Sequence, residues 1–177
     1  MDRYKTIIGM IPKNTRVLDY GCGDGSFVER LKNNGNKAVG VDLDTELKIK
    51  DMKDNGFDVV TSICVLEHTV NPGIYLDDVK RVLKKDGLFI VCVPISISFN
   101  SILSQLFFNK SMVKSFTNIA NSHVVGWDAS TFTKLMDRMG FIYMGHVFQG
   151  GSSIGKLHIP FFGLRYNMIF KYKTKEE

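Results

Sequence analysis

The stretch VLDYGCGDGSF, residues 17–27, sets Gly21, Gly23 and Gly25 at alternate positions directly behind a short apolar run that carries an acid, Asp19. Glycine has no Cβ, so such a turn can bring backbone N–H groups close to a ligand and adopt dihedrals denied to other residues. The same spacing also serves a bare strand-to-helix turn. Either way the local order is clear. Residues 16–20 form a strand and the glycines a turn. Residues 26–33 form a helix with Phe27, Val28 and Leu31 on one face, stopped by Asn34-Gly35.

The alternation continues outward from this unit. A short helix is expected over residues 4–10, ended by the Ile11-Pro12 step. Strands are expected over residues 38–41, ending at Asp42, and over 57–64, a β-branched run apolar on both faces as in a central parallel strand. Asn71-Pro72 gives an N-cap followed by proline at the first helical position. The helix it opens runs to residue 85, with Lys80, Arg81, Lys84 and Lys85 favouring its negative end. A stop at Asp86-Gly87 precedes a buried strand over residues 88–93. A helix at 130–139, a strand at 141–148, a glycine-rich loop at 150–155 and a strand at 166–172 complete the pattern. Strands alternating with helices imply an α/β fold with a mostly parallel sheet and helices on both faces.

Size and composition fit one such unit. The chain has 177 residues, 44% hydrophobic and 23% charged, so residues 1–177 are read as a single domain. No apolar run approaches the ~20 residues of a membrane span, and residues 1–15 lack a signal-peptide pattern. Three cysteines without a CxxC or Cys/His cluster argue against a disulfide framework and a metal site, and read as reduced thiols of a cytoplasmic protein. The net charge of +5 owes much to Lys171, Lys173 and Lys175, which read as a solvated tail or, alternatively, as a contact for an acidic or lipid-headgroup partner.

In a parallel α/β sheet, ligands bind beyond the carboxyl ends of the strands. The glycine turn is therefore the floor of the expected site. Its spacing is GxGxG rather than the GxGxxG of a dinucleotide fold, and Asp19 would repel a pyrophosphate while suiting an amine or a sulfonium. Asp42, about 20 residues on at the end of the next strand, stands where an acid holds the ribose hydroxyls. Together these residues ask for a nucleoside cofactor without phosphates.

These residues resemble the class I S-adenosylmethionine-dependent methyltransferases, particularly the small-molecule branch related to ubiquinone-biosynthesis methyltransferases. The resemblance rests on five pieces in the family's order: VLDYGCGDGSF at 17–27, VGVDLD at 39–44, FDVVTSICVLEHTVNP at 57–72, RVLKKDGLFIVCVP at 81–94 and HVVGWDASTFTKLMDRMGF at 123–141. It implies a Rossmann-like fold with S-adenosylmethionine as cofactor. Asp19, Gly21, Cys22 and Gly23 would surround its methionine part, Asp42 would accept from the ribose hydroxyls, and Leu43 would touch adenine. Cys64 and Val65 would face the methionine end through their backbone, although for Cys64 plain strand packing is an equal reading.

Methyl transfer asks mainly for an in-line nucleophile and exclusion of water; a hydroxyl or phenol acceptor also gains from a general base. His68, after the central strand, is the candidate base, its alternative being a loop-fixing hydrogen bond. His123 and Trp127 are placed where family members contact the acceptor, the plainer reading of Trp127 being a loop anchor. Residues 95–122 would form a lid. Within it Leu106, Phe107 and Phe108, flanked by Lys110 and Lys114, suit a lipid-like acceptor or a membrane surface if they are not core. Nucleic acid is not expected as substrate: the Asn/Asp-Pro-Pro-aromatic loop of amino-methylating DNA enzymes is absent, and so is an interleaved basic and aromatic patch.

One departure stands out. Only residues 43–56 separate Asp42 from the central strand, room for one crossover. The sheet should therefore lack one edge strand of the family's usual seven. Residues 47–52 would imitate its remains, with Asp51 as the acid for the adenine amino group, and the stretch ahead of the first strand is too short to cover much of the site. Two functions follow: methyl transfer to a small or lipid-like acceptor, or a degenerate relative acting as a non-catalytic binding partner.

Overall fold

The computed structural model describes residues 2–94, 124–149, 152–154, 157–159 and 167–175. The expected lid, residues 95–122, and His123 lie outside the described residues. Helix α1 (Arg3–Ile8) is capped by Asp2, whose side chain accepts from the N–H of Tyr4. It leads into β1 (Arg16–Tyr20), α2 (Ser26–Asn33) and β2 (Lys37–Val41). A one-turn 3-10 helix, Ile49–Asp51, precedes β3 (Phe57–Ile63), and a second, Leu66–His68, precedes α3 (Pro72–Val82). β4 (Leu83–Pro94), α4 (Ala129–Arg138), β5 (Phe141–Gln149), the short strands β6 (Ser152–Ile154) and β7 (Leu157–Ile159), and β8 (Asn167–Thr174) follow.

Six strands form one sheet in the order β2-β1-β3-β4-β8-β5, with β6 and β7 paired separately. β2, β1, β3 and β4 pair in parallel, and β8 runs antiparallel between β4 and β5. Among the described residues the sheet has six strands and is mostly parallel, in line with the expected Rossmann-like plan with one edge strand fewer than the usual seven. In the segment between β2 and β3, residues 49–51 make a 3-10 turn.

Strand alternation distributes the core to two sides. Leu18, Val60, Phe89, Val91, Phe170 and Tyr172 pack with Leu76 and Val79 of α3 and Phe132 and Met136 of α4. Val17, Val59, Ile90, Cys92 and Ile169 pack with Ile7 of α1 and Phe27, Val28 and Leu31 of α2. Helices thus cover both faces, and the carboxyl ends of β1 and β3 come together on one edge of the layer, where Asp19 lies beside Thr61.

Three local expectations need correction. α3 stops at Val82 rather than at residue 85, because Leu83 is extended (φ −76°, ψ 137°) and pairs with Phe57 on β3. Lys84 serves not the helix end but Asp58, at 2.6 Å. The chain then turns through Asp86 in the left-handed region (φ 62°), and a Cβ on Gly87 would come within 2.6 Å of Leu83 Cγ and 2.7 Å of the Lys84 carbonyl. The bulge inside β4 therefore excludes any side chain at Gly87. The expected glycine-rich loop contains β6, fixed by pairing Ser152 with Ile159, a relation no local pattern announces. β3 ends at Ile63, one residue short of Cys64, which takes a left-handed backbone (φ 57°).

Candidate active site

The glycine turn leaves β1 with Gly21, Gly23 and Gly25 all at positive φ (89°, 53° and 76°). Its start is pinned to the neighbouring strand, since the N–H groups of Gly21 and Cys22 donate to the Val41 carbonyl at 2.8 and 3.2 Å. Gly21 also lies directly under Val65, and a Cβ there would stand 2.2 Å from Val65 Cγ2. Gly23 and Gly25 have open space where a side chain would project. The sequence needs glycine at the first position for close packing and offers a bare backbone at the other two.

Two carboxylates flank this turn. Asp19 is 2% exposed and accepts a hydrogen bond from the Thr61 hydroxyl at 2.7 Å. Burial pushes its pKa from 3.8 to about 7, the Thr61 hydrogen bond opposing the rise and the charge of Asp42 adding to it. Asp42 is half-buried. Its Oδ2 accepts from the Gly23 N–H at 2.8 Å and its Oδ1 from the Leu43 N–H at 2.6 Å. One carboxylate is thus sunk behind the turn, and the other ties the turn to the end of β2. Leu43 itself is 89% exposed, an apolar side chain presented beside Asp42.

Cys22 packs back on the sheet, its sulfur where a Cβ on Gly40 would fall (2.7 Å). Burial, with Asp19 and Asp42 nearby, pushes its thiol pKa up. Cys64 sits at the end of β3 with its N–H on the Cys92 carbonyl (2.8 Å) and its sulfur 3.5 Å from Arg3 Nη1. A hydrogen bond from the Cys92 thiol lowers the Cys64 pKa, and the same contact raises that of Cys92. Arg3 therefore reaches the site from α1, correcting the expectation that little approaches from that direction.

Beyond Val65, the Leu66–His68 turn buries Glu67 (1% exposed) and leaves His68 at the surface. The Glu67 carbonyl accepts from Val124 and Val125 (2.7 and 3.1 Å), while its Oε2 is buried with no partner among the described residues. Burial raises its pKa. Two residues past Val125, Trp127 is 7% exposed and meets the Phe132 ring edge-on (centroids 5.3 Å apart). Its Nε1 is likewise buried with no partner among the described residues. Asp51, in the other 3-10 turn, is exposed and accepts the Lys48 N–H on Oδ2 at 3.1 Å.

The structure thus gathers Asp19, Gly21, Cys22, Gly23, Asp42, Cys64 and Val65 at one end of the sheet. Thr61, Arg3 and Glu67 join them, although their spacing in the sequence does not single them out. A hollow of about 410 Å³ lined by Arg16, Lys37 and Phe57 involves the starts of β1, β2 and β3, the opposite end, and is not this site. The residues fit a methionine-nucleoside cofactor: an open glycine backbone, a carboxylate at the end of β2 and a buried acid suited to a cation.

Residues 1–144 match the family described as "Methyltransferase domain". A ubiquinone biosynthesis O-methyltransferase of Maricaulis maris is 31% identical over 105 residues, 46% of this chain and 41% of that protein. The chain spans about half the length of the curated relatives it matches. An S-adenosylmethionine-dependent methyltransferase structure from Methanosarcina mazei has a TM-score of 0.73 at 14% identity, covering 100% of both chains. The Burkholderia thailandensis 1,6-didemethyltoxoflavin-N1-methyltransferase, solved with S-adenosylhomocysteine, has a TM-score of 0.71 at 15% identity, covering 98% of this chain and 76% of that one. With the family match over residues 1–144 added to the six-stranded sheet and the acid-flanked glycine turn, the chain belongs to the class I S-adenosylmethionine-dependent methyltransferases.

Proposed function

We propose that this chain transfers the methyl group of S-adenosylmethionine to an oxygen of a small or lipid-like acceptor. The observation that carries the reading is the open glycine turn between Asp19 and Asp42, a nucleoside site without provision for phosphate. Asp42 is assigned to the ribose hydroxyls, Leu43 and Asp51 to adenine, and Asp19 with the backbone of Gly21, Cys22 and Gly23 to the methionine part. The backbone of Cys64 and Val65 closes the same end. The Arg3 guanidinium, 3.5 Å from Cys64 Sγ, is assigned to the methionine carboxylate.

The bound cofactor supplies an activated methyl group on a positive sulfur. The protein's task is then to hold the acceptor oxygen in line with it, keep water out and remove a proton. His68 is assigned the proton. Trp127, with an indole N–H that has no acceptor among the described residues, is assigned to the acceptor, as is His123. The oxygen acceptor rests on the likeness to ubiquinone O-methyltransferases. The free thiols Cys22, Cys64 and Cys92 support a reducing compartment, and we propose the cytoplasm, where any lipid-like acceptor is met at a surface. No described helix is long and apolar enough to cross a membrane.

The test is release of S-adenosylhomocysteine from S-adenosylmethionine in the presence of catechols with and without a prenyl tail. Acceptor-dependent release supports the reading. Cofactor binding without turnover on any hydroxylated acceptor would favour the non-catalytic alternative.

A further inference from the structure

The segment from Asp42 to Gly56 has no strand to hold it, yet several of its carbonyls are held by side chains. Lys48 Nζ donates to the carbonyl of Leu43 and, at 3.4 Å, to that of Asp42. Arg81, on α3, grips the second half of the segment at three points in one fork. Its Nη2 donates to the Ile49 carbonyl at 2.7 Å, and its Nη1 donates to the Met52 carbonyl at 2.9 Å and to Asp54 Oδ1 at 2.6 Å. The two carbonyls held by the fork bracket Asp51. Backbone bonds complete the junction, Asn55 N–H to the Arg81 carbonyl and Gly56 N–H to that of Val82, both at 2.9 Å.

The same guanidinium connects to the cofactor turn. Arg81 Nη2 lies 3.6 Å from Asp78 Oδ1, and Asp78 Oδ2 is 3.5 Å from the hydroxyl of Tyr20, the residue before Gly21. Tyr20 is fixed in turn by stacking on Tyr75 (4.0 Å, 9°), whose hydroxyl donates to the Tyr20 carbonyl at 2.8 Å. Ile49 and Met52 pack half-buried against the core that contains Tyr75. The short segment is therefore joined to α3 and, through α3, to the glycine turn.

We infer that Arg81 is the positioning residue that builds the adenine wall in place of the missing edge strand, by holding the Ile49–Asp51 turn so that Asp51 faces the base. The inference rests on the methyl-donor reading of the site. The planar guanidinium presents separate N–H groups to Ile49, Met52 and Asp54 in one fixed geometry, which the compact ammonium of a lysine does not reproduce.

The experiment compares two ligands by calorimetry: S-adenosylhomocysteine and S-inosylhomocysteine, which lacks the adenine amino group. The proteins are the unaltered chain, Arg81→Ala, Arg81→Lys and Lys84→Ala, the last removing an ion pair with Asp58 at the far end of β3. The unaltered chain should prefer the adenine ligand about tenfold or more. Arg81→Ala should weaken the adenine ligand about tenfold and the inosine ligand much less, so that the preference collapses. Arg81→Lys, folded even if the alanine variant is not, should lose most of the preference, and Lys84→Ala none. Equal weakening of both ligands, or an unchanged preference in Arg81→Lys, would overturn the inference. Failure of the unaltered chain to bind either ligand would instead remove the methyl-donor reading on which it rests.

Discussion

Thr61 and Asp19, 42 residues apart, meet inside the sheet through a 2.7 Å hydrogen bond that leaves the Asp19 carboxyl otherwise surrounded by protein and one neighbouring carboxylate. Its pKa, raised to about 7, makes the group neutral in the empty site over the acid range. A bound sulfonium or ammonium favours the ionised form.

Affinity for S-adenosylmethionine should accordingly rise between pH 6 and pH 8, by up to about tenfold per pH unit below the raised pKa. Asp19→Asn should flatten the profile. The same shift acts on the empty protein in the opposite sense. Stability contributed by the neutral carboxyl is complete below 3.8 and is lost as the pH rises through about 7. Thermal unfolding at pH 5 and pH 8 should therefore show a larger loss at pH 8 for the unaltered chain than for Asp19→Asn, and parallel profiles would remove Asp19 as the titrating group.

Gly21→Ala tests the packing of the turn. The new Cβ meets Val65 at 2.2 Å on a backbone with φ 89°. The left-handed backbone costs about 1–2 kcal/mol and the overlap about 1–3 kcal/mol. In denaturant unfolding, adding Val65→Ala should recover the overlap but not the backbone cost. A double variant no better than Gly21→Ala alone would show that Val65 is not what confines the turn.

His68→Ala separates chemistry from binding. With the general base gone, turnover of a phenolic acceptor should fall about 10²- to 10⁴-fold, while affinity for S-adenosylhomocysteine stays within about twofold. Turnover within a few-fold of the unaltered chain would leave His68 with a structural role in its loop.

Much of this was legible in the sequence because it is local. The glycines, Asp19 and Asp42 announce themselves by spacing, and Asn71-Pro72 fixes the start of α3, where Asn71 caps the Ile74 N–H as its residue type implies. Thr61 was not legible, because only the parallel register that sets Asp19 beside it gives the hydroxyl a purpose. Arg81 and Lys84 read as last-turn cations, yet one holds the segment after β2 and the other an acid on β3. The end of α3 follows the same logic: the pairing of Leu83 with Phe57, a tertiary contact, outweighs the helical pattern that continues past Val82. That residues 43–56 are too short for a further strand and its crossovers is legible from length alone; the Arg81 fork that holds this segment is not.

Binding of the methyl donor by the turn between Asp19 and Asp42 is tested most directly by calorimetric titration with S-adenosylhomocysteine, alongside Asp42→Ala. The variant removes the ribose acceptor and also strips the Gly23 and Leu43 N–H groups of theirs. Saturable binding is expected for the unaltered chain, and about tenfold weaker binding, roughly 1.4 kcal/mol, for the variant. No binding at millimolar ligand, or the same dissociation constant in both proteins, would contradict the assignment.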